Sequence, residues 1–421
     1  MDTRTTLHSQ TRPVSVFEIL RAEAVSSVYQ PIVDLGTRAV VAVEALARGP
    51  QGEMHFPGSL FAAAAREGLS VQLEWACRAA AFRGALAGPL PSGVALFVNV
   101  ESSQLGEVPP AAVQRLEDEV RNVVHVVLEL TERDLAGRPA EVLRAVYAAR
   151  ARGWGIALDD VGADPASLAL MPLIRPDVVK LDLALVQGRQ TVEVARVASA
   201  VAAYAEESGA IVLAEGIETE LHLERALVLG ATLGQGWYFG RPGSLDAVAR
   251  KHCERLPLLR DQKPPSGSTP FERVARHLPT RVARKSQLLG MSHHLERQAV
   301  QLPAPPLLLA AFEHADFFTI PTRERYSQYA QRCTLVAAFG VGLDAEPAPG
   351  VRGAPLDPAD PLAAEWTVVV LSPHFAAALI ARDMGDGGPD QDRLFEFALT
   401  HDRRRVTAAA RCLIERIVSP D

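Results

Sequence analysis

The run Trp154-Gly155-Ile156-Ala157-Leu158-Asp159-Asp160-Val161-Gly162 is an apolar stretch of strand length that ends in two adjacent carboxylates. Side chains alternate faces along a strand, so neighbouring acids at its end can diverge toward two positively charged partners. Taken alone, either acid could equally cap a following helix. The same pattern recurs along the chain, however, with Glu44, Asn99, Glu129, Glu215 and Gln235 each closing an apolar run. Carboxylates converging on one mouth repel one another and are costly to desolvate unless cations neutralise them. An all-oxygen donor set without histidine or cysteine favours hard ions such as Mg²⁺ or Mn²⁺ over zinc. Two such ions about 4 Å apart can activate a bridging water and hold a phosphate for in-line attack. The chemistry that follows is metal-assisted hydrolysis of a phosphate ester.

Two cations fit that chemistry. In Val178-Val179-Lys180-Leu181-Asp182, alternation places Lys180 and Asp182 on one face, where the ammonium can hydrogen-bond the attacking water or a phosphate oxygen. Arg48, four residues beyond Glu44, offers a planar fork for phosphate. Each residue also has a plainer reading. Asn99 could sit in a turn, Lys180 at a solvated strand edge, and Arg48 on the surface. Glu129 and Glu132 could close a strand and open a helix. Glu215 and Glu218 could be acids favoured by a helix dipole. Their recurrence at consecutive strand ends is what joins them into one site.

The elements that must position these residues follow from periodicity. Strand-like runs at 25–29 and 39–43, linked by Asp34-Leu35-Gly36, read as an antiparallel hairpin, with Gln30-Pro31 closing the first strand. A short helix at 14–24 precedes them. Helices at 57–67, 71–86, 110–120, 139–150, 191–208 and 220–229 then alternate with strands at 94–98, 123–128, 154–160, 177–181, 210–214 and 231–233. Alternation of this kind implies a mainly parallel sheet covered by helices, and eight strands imply closure as a (β/α)8 barrel modified by an antiparallel first strand. In such barrels the C-terminal strand ends carry the chemistry.

Residues 256–270 are rich in Pro, Ser and Gly and read as a linker between a barrel at 14–255 and a second α/β region at 271–421. That second region holds strand-like runs at 307–312, 334–339 and 366–371, a loop at 346–361 and a closing helix at 393–417. The chain of 421 residues, with 48% hydrophobic and 22% charged residues, has material for two cores. A net charge of -7 argues against nucleic-acid binding. No apolar run is long enough to span a bilayer, and Met1 to Pro13 shows no signal-peptide core, so a cytoplasmic location is expected. The dispersed Cys77, Cys253, Cys333 and Cys412 read as free thiols.

Tyr29-Gln30-Pro31-Ile32, Glu44-Ala45-Leu46-Ala47-Arg48, Asn99, Glu129-Leu130-Thr131-Glu132, Asp159-Asp160, Lys180-Leu181-Asp182, Ala214-Glu215-Gly216-Ile217-Glu218 and Gln235-Gly236 together resemble the EAL domain of cyclic di-GMP phosphodiesterases. The resemblance implies a modified TIM barrel that opens cyclic di-GMP to linear pGpG with two metal ions. It implies that Glu44, Asn99, Glu129 and Asp159 hold one ion, and Asp159, Asp160 and Glu215 the other. Lys180 would assist the water, Gln30, Arg48 and Gln235 would contact or position the dinucleotide, and Glu132, Asp182 and Glu218 would support the site. The chain departs from the family after Asp159-Asp160, where Val161-Gly162-Ala163-Asp164-Pro165-Ala166-Ser167 replaces a more flexible aromatic and glycine-containing loop. In the family that loop couples homodimerisation to metal binding. The departure opens the alternative of a receptor that binds cyclic di-GMP without hydrolysing it. No synthetase signature accompanies the barrel motifs.

Phe317-Phe318-Thr319, Thr322-Arg323-Glu324-Arg325-Tyr326 and the run from Leu335 to Gly342 resemble the DICT sensory domain. That resemblance implies a regulatory α/β module with a sensory ligand or partner still to be identified. His293-His294 has no acidic or cysteine company and does not read as a metal site.

Overall fold

A computed structural model describes residues 15–100, 107–131, 135, 137–163, 168–256, 268–387 and 389–417. Eight strands close into a barrel in chain order. They are β1 (Ser26–Asp34), β2 (Val40–Arg48), β3 (Ala95–Val100), β4 (His125–Thr131), β5 (Gly155–Val161), β6 (Val178–Leu181), β7 (Ile211–Ala214) and β8 (Leu233–Gln235). Strand β1 is antiparallel to both neighbours, β2 and β8, while β2 through β8 run parallel. The modified barrel expected from the alternating pattern is therefore the one observed.

The opening hairpin is longer than its apolar runs indicate. Strand β1 continues through Gln30-Pro31, and β2 continues past Glu44 to Arg48, so Gln30 and Glu44 face each other in mid-strand rather than at strand tips. Proline is tolerated there because pairing with β8 begins only at Ile32. The helices between strands start and stop on local chemistry. Helix Val192–Ser208, for instance, is capped by the Thr191 hydroxyl, which accepts from Val194 N at 3.3 Å, and stops at Gly209 with φ 79°.

Beyond the barrel lies a seven-stranded sheet in the order β12-β11-β10-β13-β14-β15-β9. Its strands are β9 (Arg281–Arg284), β10 (Leu307–His314), β11 (Leu335–Val341), β12 (Arg352–Leu356), β13 (Glu365–Ser372), β14 (Phe375–Asp383) and β15 (Leu394–Thr400). Pairing of β10 with β11 and of β11 with β12 is parallel, and the rest is antiparallel. Two expectations fail here. Residues 393–417 are not one helix: Leu394–Thr400 is a strand and the helix is Arg403–Ile414, because Phe395, Phe397 and Ala398 gain more from joining the sheet than from helix propensity. The loop expected at 346–361 contains β12, which pairs with β11 despite its proline. Proline fits because β12 is an edge strand.

Helix Arg403–Ile414 is buried almost all round. It packs on β13 and β14 of the sheet and on the short barrel helix Met171–Ile174. One continuous apolar core consequently runs from the barrel into the sheet, through Phe271, Leu371 and Ile414. No helix among the described residues is long and apolar enough to cross a membrane.

Candidate active site

Lys180, on β6, is 1% exposed and stands at the centre of the barrel mouth. Its Nζ lies 2.5 Å from Glu129 Oε1 on β4, 2.7 Å from Glu215 Oε1 just after β7, 2.9 Å from Asp159 Oδ1 on β5 and 4.0 Å from Glu44 Oε2 on β2. Strand alternation in the sequence places Lys180 on the polar face, and barrel closure brings the four acids to it. Among the described residues, one ammonium stands against four carboxylates and leaves this buried pocket short of positive charge. Burial first, and then Glu44 and Asp159 nearby, push the Glu129 carboxyl well above the usual range, with Lys180 opposing. Burial likewise pushes Glu215 up to about 8, against the pull of Lys180. Burial alone would lower the Lys180 pKa, but the surrounding carboxylates outweigh it and raise it.

Amides set the direction of Glu44. Asn99 Nδ2 donates to its Oε1 at 3.0 Å, and Gln235 Nε2 donates to its Oε2 at 2.6 Å. Gln235 Nε2 also lies 3.3 Å from Gln30 Oε1, and Gln30 Nε2 donates to Gly240 O at 3.2 Å. Gln30 and Gln235 are both buried, so in this arrangement they hold Glu44. The family resemblance implies that they contact or position the dinucleotide; their hold on Glu44 comes from the barrel.

Asp159 and Asp160 diverge, though not by simple strand alternation. Asp160 adopts φ 56°, a left-handed conformation that costs energy outside glycine. The register of β5 against β6 shifts between Leu158 and Val161 at the same point. The kink leaves Asp159 facing Lys180 and Asp160 exposed, with Asp160 N donating to Asp159 Oδ1 at 2.9 Å. Asp159, Asp160 and Glu215 each present a carboxylate oxygen within 4.8 Å of the other two. Glu129 Oε2 is buried and accepts no hydrogen bond from the described residues. A crowded, undercompensated set of hard oxygen donors is what a divalent cation fits.

The remaining positions are more peripheral. Arg48, at the end of β2, donates to Ala47 O at 2.8 Å and lies 6.0 Å from the Phe56 ring. Asp182 does not join Lys180; its Oδ1 accepts from Ala184 N at 2.7 Å and caps the helix Leu183–Gln187. Glu218 N donates to His222 Nδ1 at 3.3 Å at the rim. Glu132 and the altered residues Asp164 to Ser167 lie outside the described residues. A link that the sequence did not reveal is made by Gly236: a Cβ there would come within 2.0 Å of Ile217 O. This close approach lets Ile217 N donate to Gln235 O at 3.0 Å and ties the Glu215 loop to β8.

Residues 15–242, more than half of the chain, match the family model described as the EAL domain. The chain belongs to the EAL family. Residues 271–384 match the DICT model, a sensory domain found in diguanylate cyclases and two-component systems. Among curated relatives, the probable cyclic di-GMP phosphodiesterase PdeG of Escherichia coli is 29% identical over 51% of this chain and 44% of its own length. The cyclic di-GMP phosphodiesterase RocR of Pseudomonas aeruginosa is 35% identical over 28% of this chain and 30% of its own length. This EAL chain thus corresponds to less than half of either relative. Among solved structures, the PaMucR phosphodiesterase in complex with c-di-GMP covers 55% of the chain at 25% identity with a TM-score of 0.48. Klebsiella pneumoniae BlrP1, solved with manganese and cyclic di-GMP, covers 52% at 29% identity with a TM-score of 0.47.

Proposed function

We propose that this EAL protein is a cyclic di-GMP phosphodiesterase that cleaves one phosphodiester bond of the ring to give linear pGpG. The observation that carries the reading is the convergence of Glu44, Glu129, Asp159 and Glu215 on Lys180, with Asp160 beside them and too little positive charge to balance the set. The names of the relatives agree with it. Glu44, Asn99, Glu129 and Asp159 would hold one Mg²⁺ or Mn²⁺ ion, and Asp159, Asp160 and Glu215 a second. Ions held there would supply the Lewis acid and the activated water that the hydrolysis requires.

The protein's own residues do the rest. Lys180, already within hydrogen-bonding distance of three carboxylates, can donate to a water or to a phosphate oxygen that displaces one of them. Gln235 and Asn99 donate to the two oxygens of Glu44 and so fix the direction of that carboxylate. Gln30 steadies Gln235 and Arg48 offers its fork to phosphate at the rim. Asp182 and Glu218 support the loops around the mouth, the role that the family resemblance also implies for Glu132. We further propose that the protein acts as a homodimer in the cytoplasm, where its four free thiols stay reduced. The region from residue 271 onward would act as a sensory domain, answering a ligand or partner.

The test is turnover of cyclic di-GMP with Mg²⁺ or Mn²⁺ by the full chain and by Glu44→Ala. Release of pGpG by the wild type, lost in the variant, supports the enzyme. Binding of the dinucleotide with no pGpG from the wild type means a receptor, the outcome to which the Asp164-Pro165 substitution in the sequence points.

A further inference from the structure

The strands that carry Asp159-Asp160 and Lys180 are joined by a crossover whose second half is the helix Met171–Ile174 followed by Arg175-Pro176-Asp177. The barrel itself ties down the last part of that crossover. Asp177 N donates to Ile156 O at 2.7 Å, Arg150 Nη1 donates to Asp177 Oδ2 at 2.6 Å, and Tyr204 OH donates to Pro176 O at 3.3 Å. The helix before it is gripped from outside the barrel. Arg411, on the terminal helix Arg403–Ile414, donates through Nε to Leu173 O at 2.6 Å and through Nη2 to Pro172 O at 3.1 Å.

Arg411 is 9% exposed. Burying a guanidinium is costly, and a methionine or leucine would fill the same space without that cost. Its planar fork, however, can fix the direction of two successive carbonyls at once, which an apolar side chain cannot do. We infer that Arg411 is a positioning residue for the barrel site: by clamping the Leu173 and Pro172 carbonyls it fixes the segment that leads into the start of the Lys180 strand, at the end of the barrel away from the mouth, and so tunes metal affinity through that strand from the C-terminal sheet. This rests on the metal-binding part of the proposed function. The terminal helix belongs to the sheet that carries the DICT match, so any shift of that helix moves the clamp.

Another seam contact serves as the control. Arg403 lies at the start of the same helix, 3.5 Å from Glu207 and donating to Ser372 O at 2.8 Å, and it makes neither bond with Leu173 nor with Pro172. Mn²⁺ binding to the full chain is followed by the electron paramagnetic resonance of free Mn²⁺, without substrate, for wild type, Arg411→Met, Arg411→Lys and Arg403→Met. Arg411→Met is expected to weaken Mn²⁺ binding about fivefold to tenfold, a usual coupling between sites. Arg411→Lys, whose ammonium satisfies one carbonyl direction at a time, falls between it and wild type. Arg403→Met binds as wild type does. Saturating Mn²⁺ returns turnover in Arg411→Met to near the wild-type value, as a loss of affinity requires. If Arg411→Met does not fold, Arg411→Lys decides, and a wild-type Mn²⁺ affinity in it overturns the proposal. Equal affinity in Arg411→Met and wild type, or an equal loss in Arg403→Met, also overturns it. A wild type that binds no Mn²⁺ at all overturns the metal reading of the site together with the clamp.

Discussion

The barrel and the C-terminal sheet both bury charge, but they balance it differently. At the barrel mouth one lysine faces four carboxylates, and two of those are pushed up in pKa. In the sheet, Arg393 contacts Glu313 and Asp383 at 2.5 Å each, and Lys285 reaches Asp390 at 2.5 Å. Deeper in, Glu296 takes Arg325 Nε at 3.0 Å and the Tyr326 hydroxyl at 3.1 Å. There each of these carboxylates meets an arginine or lysine, with Arg393 shared among three of them, and Glu365 is the exception. The barrel instead keeps a deficit that only protons or cations can fill. A charge imbalance preserved in a buried place, rather than the presence of charge, is what separates the site from the scaffold.

Removing the central cation should break this contrast most visibly. Lys180→Met leaves the carboxylates with no counterion among the described residues, and the proposed hydrolysis is expected to fall by about 10³-fold, as for loss of a proton-handling group. Unfolding in EDTA should show a loss of about 3–5 kcal/mol, the usual result of orphaning a buried charge. Added Mn²⁺ should restore most of the lost melting temperature. The counterpart in the sheet is Arg393→Met, which orphans Glu313 and should cost about 3 kcal/mol. Here Mn²⁺ should restore nothing, because the protein supplied the counterion itself.

A smaller effect sharpens the comparison by pH. The Glu215 carboxyl titrates near 8 when folded, against 4.5 in an unfolded chain, so the folded protein holds a proton that the unfolded chain releases. Stability in EDTA should therefore fall as pH rises from about 4.5 to about 8. Burial also raises Glu365, at the start of β13, to about 7 even though its carboxylate accepts from Phe271 N at 3.1 Å. Saturating Mn²⁺ should abolish the Glu215 share of this fall across its whole range and leave only the smaller fall up to about pH 7 that comes from Glu365, which Glu365→Gln should remove. Thermal melts with and without metal check both. The smallest change is expected at Arg284, whose pair with Asp392 is more than half exposed on both sides. Arg284→Ala should alter stability by no more than the about 0–1 kcal/mol of an exposed pair.

Periodicity and strand-end chemistry made much of the barrel legible. Alternating apolar runs gave its eight strands and the antiparallel opening, since each helix and strand there is a local unit with its own period. The residues now gathered around Lys180 were also visible, because each follows an apolar run at the same relative point. The sheet was less legible. Residues such as Phe395 and Phe397 suit a helix or a strand by local preference, and only pairing with β14 decides between them.

The types of the site residues, their order along the chain and the hard-oxygen character of the set belong to the sequence, because they are properties of single residues and short periods. Three features belong to the tertiary structure alone. The left-handed Asp160 arises where β5 loses register with β6. The hold of Gln235 and Asn99 on Glu44 exists only once the barrel closes β8 onto β1 and β3 onto β2. The grip of Arg411 on a crossover more than 230 residues earlier, at Leu173, requires the two regions to share a core. Each depends on contacts between residues far apart in the chain, and no local pattern encodes such a contact.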